Sequence, residues 1–376
     1  MTYSNQKITV VFFSTKTYPP TTADHFYVSD FSKSMSKLKE IDYYLVLNRK
    51  KDFDFEGTNC IELKLIKNRF LKSTFIQLLY KIPLLFRSFK NKEIIFITND
   101  KYVAILLNVW NKVLFQGHTV VGDWHHKSGA VLDFFFVRSC DKHIFISLGM
   151  EKYVTSIAKH TPTSNYILSP MGVNPSTFDI TLSKKDSRIE LNLPIDKKIF
   201  GYFGRFTTFG QEKGVQICLE ALKNLPEDFI FIAAGGTTQE LATYTEIAKN
   251  VGVSDRCILL GSQQQKELAK YQKACDVLVA PYPNTPHYAY DMSPMKLFEY
   301  MVAKRPIVAS RLDSMTSIIT DGIFYFQPDD KADFIKKLLE ASTFEHDSDV
   351  VLGVYNTAFT FSWDSKAKQI VSFLKS

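Results

Sequence analysis

The chain has 376 residues, a length that favours two domains of roughly 100–200 residues each. Apolar residues make up 45% of it and charged residues 23%, which excludes wholesale disorder, and no segment has the about 18 apolar residues that a membrane-spanning helix needs. The net charge of +7 lies in the first half, because residues 1–180 hold 23 Lys and Arg against 15 Asp and Glu, whereas the remaining residues hold 23 against 24.

In the first half, short β-branched and aromatic runs alternate with segments of helix length. The predicted strands are Ile8–Ser14, Tyr43–Leu47, Ile61–Ile66, Ile94–Thr98, Thr119–Gly122, His143–Ser147 and Tyr166–Leu168. The predicted helices between them are Asp24–Lys39, Lys72–Ser88, Lys101–Phe115 and Met150–Ala158. Alternation of this kind predicts a parallel, doubly wound sheet.

A charged, polar and proline-containing stretch at 180–198 is typical of a hinge, and the alternation restarts after it. The predicted strands are Ile199–Phe203, Phe229–Ala233, Cys257–Leu260, Val277–Ala280 and Pro306–Ala309. The predicted helices are Gly214–Lys223, Glu240–Val251, Glu267–Lys273, Pro294–Val302, Asp330–Ser342 and the amphipathic Ser362–Lys375.

The sequence therefore predicts an α/β protein with two Rossmann-like, doubly wound parallel-sheet domains that face a cleft. We expect residues 1–179 to form the first domain, residues 180–198 the hinge, and residues 199–361 the second domain. The final helix, 362–376, is expected to pack back on the first domain. In such sheets, ligands bind beyond the carboxyl ends of the strands.

One candidate anion site follows the first strand of the second half. Gly204 ends that strand, Arg205 projects beyond it, and Lys213 precedes the next helix. Glycine lets a ligand approach the backbone closely, and two cations can bracket a diphosphate. A solvated turn is the alternative interpretation, and the dinucleotide fingerprint Gly-x-Gly-x-x-Gly is absent at this place.

A second cluster is the segment from Asp291 to Glu299. Ser293 is a good N-cap and Pro294 a natural first helical residue, so the segment predicts a helix whose free N–H groups suit phosphate. The alternative is a capped helix with one solvated acid. The apolar neighbours of Glu299 favour a functional role, because a carboxylate in such surroundings requires a partner.

These motifs resemble the retaining nucleotide-sugar glycosyltransferases of the GT-B fold, in particular glycosyltransferase family 4 of the family 1/4 group. The acidic-x7-acidic motif of that family appears as Asp291-x7-Glu299, and its phosphate-binding pair as Arg205 and Lys213. Further similar pieces are "FIAAGG" at Phe231–Gly236, "CILLGS" at Cys257–Ser262 and "ACDVLVAPYP" at Ala274–Pro283. In the first half the resemblance rests on "MGVNPSTF" at Met171–Phe178 and "GDWHH" at Gly122–His126.

The resemblance implies that residues 1–179 bind the acceptor and residues 199–361 the nucleotide-sugar, and it implies a role for each matching residue. Glu299 would hold the ribose and Asp291 the donor sugar. His125, or else His126, would reach that sugar from the opposite domain, although a structural cap is the alternative for this histidine pair. The remaining donor contacts implied by the resemblance are Gly204, Arg205, Lys213, Leu260, Gly261, Ser293, Pro294 and Met295.

The sequence departs from the family at two places. The family usually has Glu where this chain has Asp291, and the Gly-Gly turn after its first strand is not recognisable in 14–24.

The implied reaction retains the anomeric configuration and requires no metal and no protein nucleophile. Asp52-Phe53-Asp54 has the Asp-x-Asp pattern that holds a divalent ion in the other glycosyltransferase fold. It lies in a charged run far from the phosphate motifs, so we interpret it as a solvated loop, and Asp347-Ser348-Asp349 likewise.

A basic, aromatic segment in the first half predicts contact with an anionic membrane. Residues 63–92 contain eight Lys and Arg and no acidic residue, interleaved with Phe, Tyr, Leu and Ile. We expect the membrane and acceptor side to include Lys67, Arg69, Lys72, Lys81 and Arg87. A core helix with a basic solvated face is the alternative. Nucleic acid is not expected, because no nucleic-acid motif accompanies the segment.

The leading hypothesis is a glycosyltransferase that moves a sugar from a nucleoside-diphosphate sugar to a lipid-linked saccharide or glycolipid in cell-surface polysaccharide synthesis. A nucleotide-sugar epimerase and a catalytically silent nucleotide-sugar-binding protein remain alternatives. Five widely spaced cysteines and an apolar run at Ile8–Phe13 without the flanks of a signal peptide favour the cytoplasm, at the inner face of the plasma membrane.

Overall fold

A computed structural model describes residues 7–18, 23–51, 53–65, 74–89, 92–157 and 165–376. The chain forms two compact units. The first comprises Met1–Met171 together with Trp363–Ser376, and the second comprises Gly172–Ser362. Each unit has its own parallel sheet with helices between the strands, which confirms the predicted α/β fold class.

The first unit is built on a seven-stranded parallel sheet. Its strands are β1 (Ile8–Phe13), β2 (Ile41–Leu47), β3 (Asn59–Glu62), β4 (Ile94–Thr98), β5 (Thr119–Trp124), β6 (Lys142–Phe145) and β7 (Tyr166–Leu168), in the spatial order β3-β2-β1-β4-β5-β6-β7. Its first five helices are α1 (Ala23–Ser36), α2 (Thr74–Ser88), α3 (Lys101–Val113), α4 (Ala130–Arg138) and α5 (Leu148–Ile157). The central strand β4 is buried along its whole length, as expected for a parallel strand covered by helices on both faces.

The second unit is built on a six-stranded parallel sheet and a short hairpin. Its strands are β8 (Lys198–Phe203), the hairpin strands β9 (Thr207–Thr208) and β10 (Gln211–Glu212), β11 (Phe229–Gly236), β12 (Cys257–Gly261), β13 (Val277–Ala280), β14 (Ile307–Ser310) and β15 (Phe324–Phe326). Its helices are α6 (Pro175–Phe178), α7 (Lys184–Glu190), α8 (Val215–Leu222), α9 (Thr238–Val251), α10 (Gln265–Ala274), α11 (Met295–Val302), α12 (Asp313–Thr316), α13 (Lys331–Ala341) and α14 (Asp349–Ala358).

The strand order of this second sheet, β12-β11-β8-β13-β14-β15, contains a topological switch point. The chain runs from β8 through β11 to β12 in one direction and from β13 through β14 to β15 in the other. The direction therefore reverses between β8 and β13. Ligands of doubly wound sheets bind at such a point, beyond the carboxyl ends of the strands.

The segment that we predicted as a hinge, 180–198, is packed on the second unit. It contains α7, whose buried Arg188 donates to the carboxylate of Asp276 at 2.7 Å and to the carbonyl of Ala274 at 2.9 Å. The boundary between the units lies at Met171 rather than at the predicted position 179. The sequence pattern does not reveal this anchoring, because Arg188 and its acidic partner are 88 positions apart.

The last helix, α15 (Trp363–Lys375), belongs to the first unit and packs against α1. Its Trp363 ring lies 5.6 Å from the ring of Tyr27. The buried amine of Lys366 donates to Ser169 and to the carbonyl of Pro170. The chain thus returns to its first unit through a helix fixed by both apolar and polar contacts.

Candidate functional site

The exit of β8 presents Gly204 and Arg205 at the switch point. Gly204 has a φ of +131°, which favours glycine, and its N–H donates to the carbonyl of Ala234 at 2.8 Å. The carbonyl of Arg205 accepts from the hydroxyl of Tyr202 at 2.6 Å. The backbone is therefore fixed at both residues, while the guanidinium side chain of Arg205 is exposed.

Lys213 follows the hairpin and is brought to the exit of β13. Its N–H donates to the carbonyl of Phe206 at 2.9 Å, and the next residue, Gly214, has a φ of +92°. A Cβ at Gly214 would lie 1.9 Å from the carbonyl oxygen of Pro281, so the two backbones are in close contact. The carboxylate of Glu212 accepts the N–H groups of Gly214 and Val215, which fixes the start of α8.

Gly214→Ala should therefore destabilise the protein by about 3 kcal/mol or more, because alanine combines an unfavourable φ with a clash against backbone. Gly252 is a matched control, since it has a φ of +81° but nothing lies within 4 Å of its added Cβ. Gly252→Ala should cost only about 1 kcal/mol. Urea unfolding of both variants measures the difference, and equal costs would contradict the close contact at Pro281.

The cations of this site lie close enough to affect each other. Burial, together with the neighbouring Arg205, lowers the pKa of Lys213 to about 8, against an opposing effect of Glu240. Glu240 is held by the N–H of Thr237 at 2.7 Å and by the hydroxyl of Thr207. Although burial alone would raise the pKa of Glu240, these hydrogen bonds hold it below its usual value.

The start of α11 differs from the prediction. We expected Ser293 as N-cap and Pro294 as the first helical residue, but Pro294 is the N-cap and Met295 begins the helix. The ψ of Pro294 is 101°, outside the helical range, and no side chain caps the helix. Leu297 N–H donates back to the carbonyl of Pro294 at 3.0 Å, so the first free amides are those of Met295 and Lys296.

Asp291 ends a π-helical turn, His287–Asp291, that sequence reasoning did not predict. The turn is closed by Met292 N–H donating to the carbonyl of His287 at 3.1 Å. It is tied to the hairpin, because the hydroxyl of Tyr288 donates to the carbonyl of Gln211 at 2.9 Å. The segment that carries Asp291 is thus held against the segment that ends in Lys213.

Glu299 lies one turn along α11, half-buried, and it is accompanied by a lysine that we did not predict. The amine of Lys296 is buried beside Gly204 and close enough to Lys213 for that lysine to lower its pKa, whereas Glu299 acts in the opposite direction. A lysine among apolar residues in the motif "SPMKLFE" was the available signal, since lysine is almost never fully buried without a reason.

Leu260 and Gly261 end β12, half-buried at the edge of the sheet. Two strand spacings, about 10 Å, separate β12 from β8. Gly261 pairs with Gly236 after an irregularity at Gly235, so the backbone of β11 is distorted beside them. The predicted contact of Leu260 and Gly261 with the base of the nucleotide is compatible with their position at the end of β12, and it stays a prediction.

In the first unit, His125 follows β5 and pairs with a buried aspartate. His125 Nε2 donates to Asp123 Oδ2 at 3.0 Å, and the same oxygen accepts from the hydroxyl of Tyr27 at 2.6 Å. Burial alone would raise the pKa of Asp123, but His125, Lys366 and Tyr27 hold it below its usual value. His126 by contrast is exposed, and its carbonyl accepts from Lys101 at 2.9 Å. The ring of His125 is therefore fixed by a buried carboxylate.

The predicted membrane-facing residues are described only in part. Lys67, Arg69 and Lys72 lie outside the described residues, whereas Lys81 and Arg87 lie on α2. Among the residues that the structure describes, no helix is both long and apolar enough to span a bilayer. Asp52, of the first Asp-x-Asp pattern, is likewise outside them, and Asp54 is exposed.

Comparisons with known proteins agree with this geometry. Residues 197–343 match the family model described as Glycosyl transferases group 1. An uncharacterized glycosyltransferase of Methanocaldococcus jannaschii is 27% identical over 246 residues, which are 62% of this chain and 59% of that protein. The chain thus spans less than two thirds of the length of this curated relative.

Two solved structures share the fold over almost the whole chain. Sucrose-phosphate synthase from Thermosynechococcus elongatus has a TM-score of 0.73 at 16% identity and covers 98% of both chains. Anabaena HepE in complex with UDP has a TM-score of 0.74 at 13% identity and covers 98% of this chain and 100% of that one. The chain therefore has the GT-B fold, and residues 197–343 of its second unit are similar to the group 1 glycosyl transferases.

Proposed function

We propose that this protein is a retaining glycosyltransferase that uses a nucleoside-diphosphate sugar as donor. The observation that carries the proposal is the pair of cations at the switch point of the second sheet. Lys213 lies near enough to Arg205 for the arginine to lower its pKa. Like charges held together at the carboxyl ends of parallel strands are explained by a polyanionic ligand that binds between them.

The proposed reaction combines what the resemblance implies with where these charges lie. As the bond between the anomeric carbon and the diphosphate oxygen breaks, the electron pair stays on the diphosphate, and Arg205, Lys213 and the first amides of α11 stabilise it. The acceptor hydroxyl forms the new bond to the anomeric carbon on the face that the diphosphate leaves. Its proton passes to a phosphate oxygen, so the mechanism requires neither a protein nucleophile nor a metal.

Two acidic residues complete the proposed site in the second unit. Glu299 would accept the ribose hydroxyls and Asp291 the hydroxyls of the donor sugar. An aspartate is one methylene shorter than the usual glutamate, so we expect the donor sugar to lie closer to the turn 287–291. The contact of His125 with this sugar, which the family resemblance implies, stays a prediction; within the first unit its ring orientation is fixed by Asp123.

A thermal-shift screen of uridine, guanosine and adenosine diphosphate sugars in EDTA tests the proposal. We expect one nucleotide class to raise the unfolding temperature, because a ligand of the folded state stabilises by mass action. Uridine is the first candidate, since Anabaena HepE binds UDP and UDP-glucose. A shift that requires added Mg²⁺ would contradict the metal-free mechanism, and no shift with any nucleotide would contradict donor binding.

The acceptor is proposed to be lipid-linked, with the first unit on an anionic membrane surface. Helix α2 buries Leu78, Ile82 and Phe86 but leaves Tyr80 70% exposed and Leu84 56% exposed. The neighbouring helix α3 also has exposed apolar side chains. Its exposed apolar side chains are Tyr102, Val109 and Val113, and Phe115 follows the helix. Exposed apolar groups among Lys and Arg favour the headgroup region of a bilayer.

Charge reversal on α2 tests the membrane proposal. The double variant Lys81→Glu, Arg87→Glu should lose at least tenfold in binding to vesicles that contain anionic lipid, because each basic group near the surface contributes about 1 kcal/mol. Lys223→Glu in the second unit, also exposed, is the control. Co-sedimentation with vesicles measures binding, and equal binding to neutral vesicles at high salt would contradict electrostatic docking.

A further inference from the structure

A buried lysine of the candidate site has no hydrogen-bond acceptor. Lys296, on α11, is 7% exposed. Among the described residues, its Nζ contacts no acceptor and instead lies 3.2 Å from the centre of the Tyr202 ring and 5.2 Å from that of Tyr282. Burial of a charged group is costly unless it is paired, and the two rings offset only part of that cost.

A second buried lysine, Lys366, has a different environment. Lys366 donates to the carbonyl and hydroxyl of Ser169 and to the carbonyl of Pro170. This fold can therefore satisfy a buried amine with backbone oxygens. At Lys296 it does not, and a locally unfavourable group that persists is most often explained by function.

The position of Lys296 indicates which ligand it lacks. Its Cε and Nζ both lie 3.4 Å from the point where a Cβ of Gly204 would be, so the absence of a side chain at Gly204 leaves room for the amine. Lys213 is near enough to lower its pKa. The three basic side chains of Arg205, Lys213 and Lys296 therefore lie around the exit of β8, near enough to affect each other.

We propose that Lys296 is a third cationic ligand of the donor diphosphate, and that its amine leaves the Tyr202 ring for phosphate oxygens when the donor binds. The inference rests on the proposed function and extends it by one residue. The donor diphosphate would then have three basic ligands. Arg205 and Lys213 flank the hairpin, and Lys296 reaches the turn at Gly204 from α11.

Proton uptake should accompany binding. Burial and Lys213 lower the pKa of Lys296 well below its usual value in the free protein, and a bound diphosphate raises it again. The charged and titratable groups that face the amine are Tyr202 of β8, Lys213 after the hairpin, Cys218 of α8, Tyr282 after β13 and Glu299 of α11. At pH 8 the phosphates of UDP are already ionised, so protons taken up belong to the protein.

The test is calorimetric titration with UDP and with inorganic pyrophosphate. Lys296→Met should weaken UDP binding at least tenfold, yet leave the thermal stability of the free protein equal or higher, because it removes a buried unpaired amine. Lys273→Met is the matched control. Lys273 is also 7% exposed, but it lies on α10, just before β13, and so near the amino end of that strand rather than its carboxyl end. Its replacement should leave UDP affinity unchanged.

A second variant keeps the inference testable if Lys296→Met does not fold. In Lys213→Arg the guanidinium stays charged, so proton uptake at pH 8, measured in Tris and in HEPES, should fall but not vanish. No remaining uptake would overturn the role of Lys296, and so would unchanged UDP affinity in folded Lys296→Met. If the unaltered protein binds neither UDP nor pyrophosphate, the proposed function itself fails.

Discussion

Replacing Arg205 or Glu299 with alanine should abolish most of the thermal stabilisation that a nucleoside-diphosphate sugar gives to the protein. At 100 times its dissociation constant, a ligand stabilises the folded state by about 2.7 kcal/mol. Loss of a charge-assisted contact to phosphate, or of a carboxylate on the ribose, weakens binding by about 100-fold, which removes nearly all of that stabilisation.

Controls for these two variants separate binding from general damage. Arg138→Ala removes an exposed arginine at the end of α4, and Glu340→Ala removes an exposed glutamate that pairs with Lys337 at 2.8 Å. Both should keep the full ligand-induced shift. A normal shift in Arg205→Ala or Glu299→Ala, measured by differential scanning fluorimetry, would remove these residues from the donor site.

The affinity for UDP should fall as the pH rises from 7 to 9.5. The pKa of Lys213 in the free protein is about 8, and an anionic ligand favours the protonated amine. Below pH 8 the free protein already carries this proton, so binding is strongest there. Above pH 8 binding must first protonate the amine, and affinity falls up to tenfold per pH unit for each proton taken up.

Lys213→Arg separates this effect from other pH dependence. Arginine stays protonated over the whole range, so the variant should keep most of its affinity and show a shallower decline with pH. Dissociation constants from calorimetry at each pH provide the measurement. An affinity of the unaltered protein that is constant from pH 7 to 9.5, or a decline of the same slope in Lys213→Arg, would contradict a role for this amine.

Most of the regular elements could be predicted, because their signal is local. The buried strand β4 and helix α3 have their predicted positions to within two residues. Helix α4 was missed because Ala130–Arg138, "AVLDFFFVR", is apolar on nearly every face and shows no helical period. The start of α11 was misplaced by one residue because the extended ψ of Pro294 depends on the π-helical turn before it.

The candidate site could be predicted where a motif carries it and not where tertiary contacts create it. Arg205, Lys213, Asp291 and Glu299 stand in recognisable spacings. The structure alone shows that the amine of Lys296 is buried against the ring of Tyr202. A sequence pattern does not reveal this pair, because the two residues are 94 positions apart. Likewise Asp123 was visible in "GDWHH", but its bond to Tyr27 spans 96 positions.

A crystal structure of the protein with a bound nucleoside-diphosphate sugar tests the central claim most directly. We expect the diphosphate at the switch point between β8 and β13, within hydrogen-bond distance of Arg205 and Lys213, with the ribose on Glu299. A ligand bound elsewhere on the chain, or one whose diphosphate contacts neither Arg205 nor Lys213, would contradict the account.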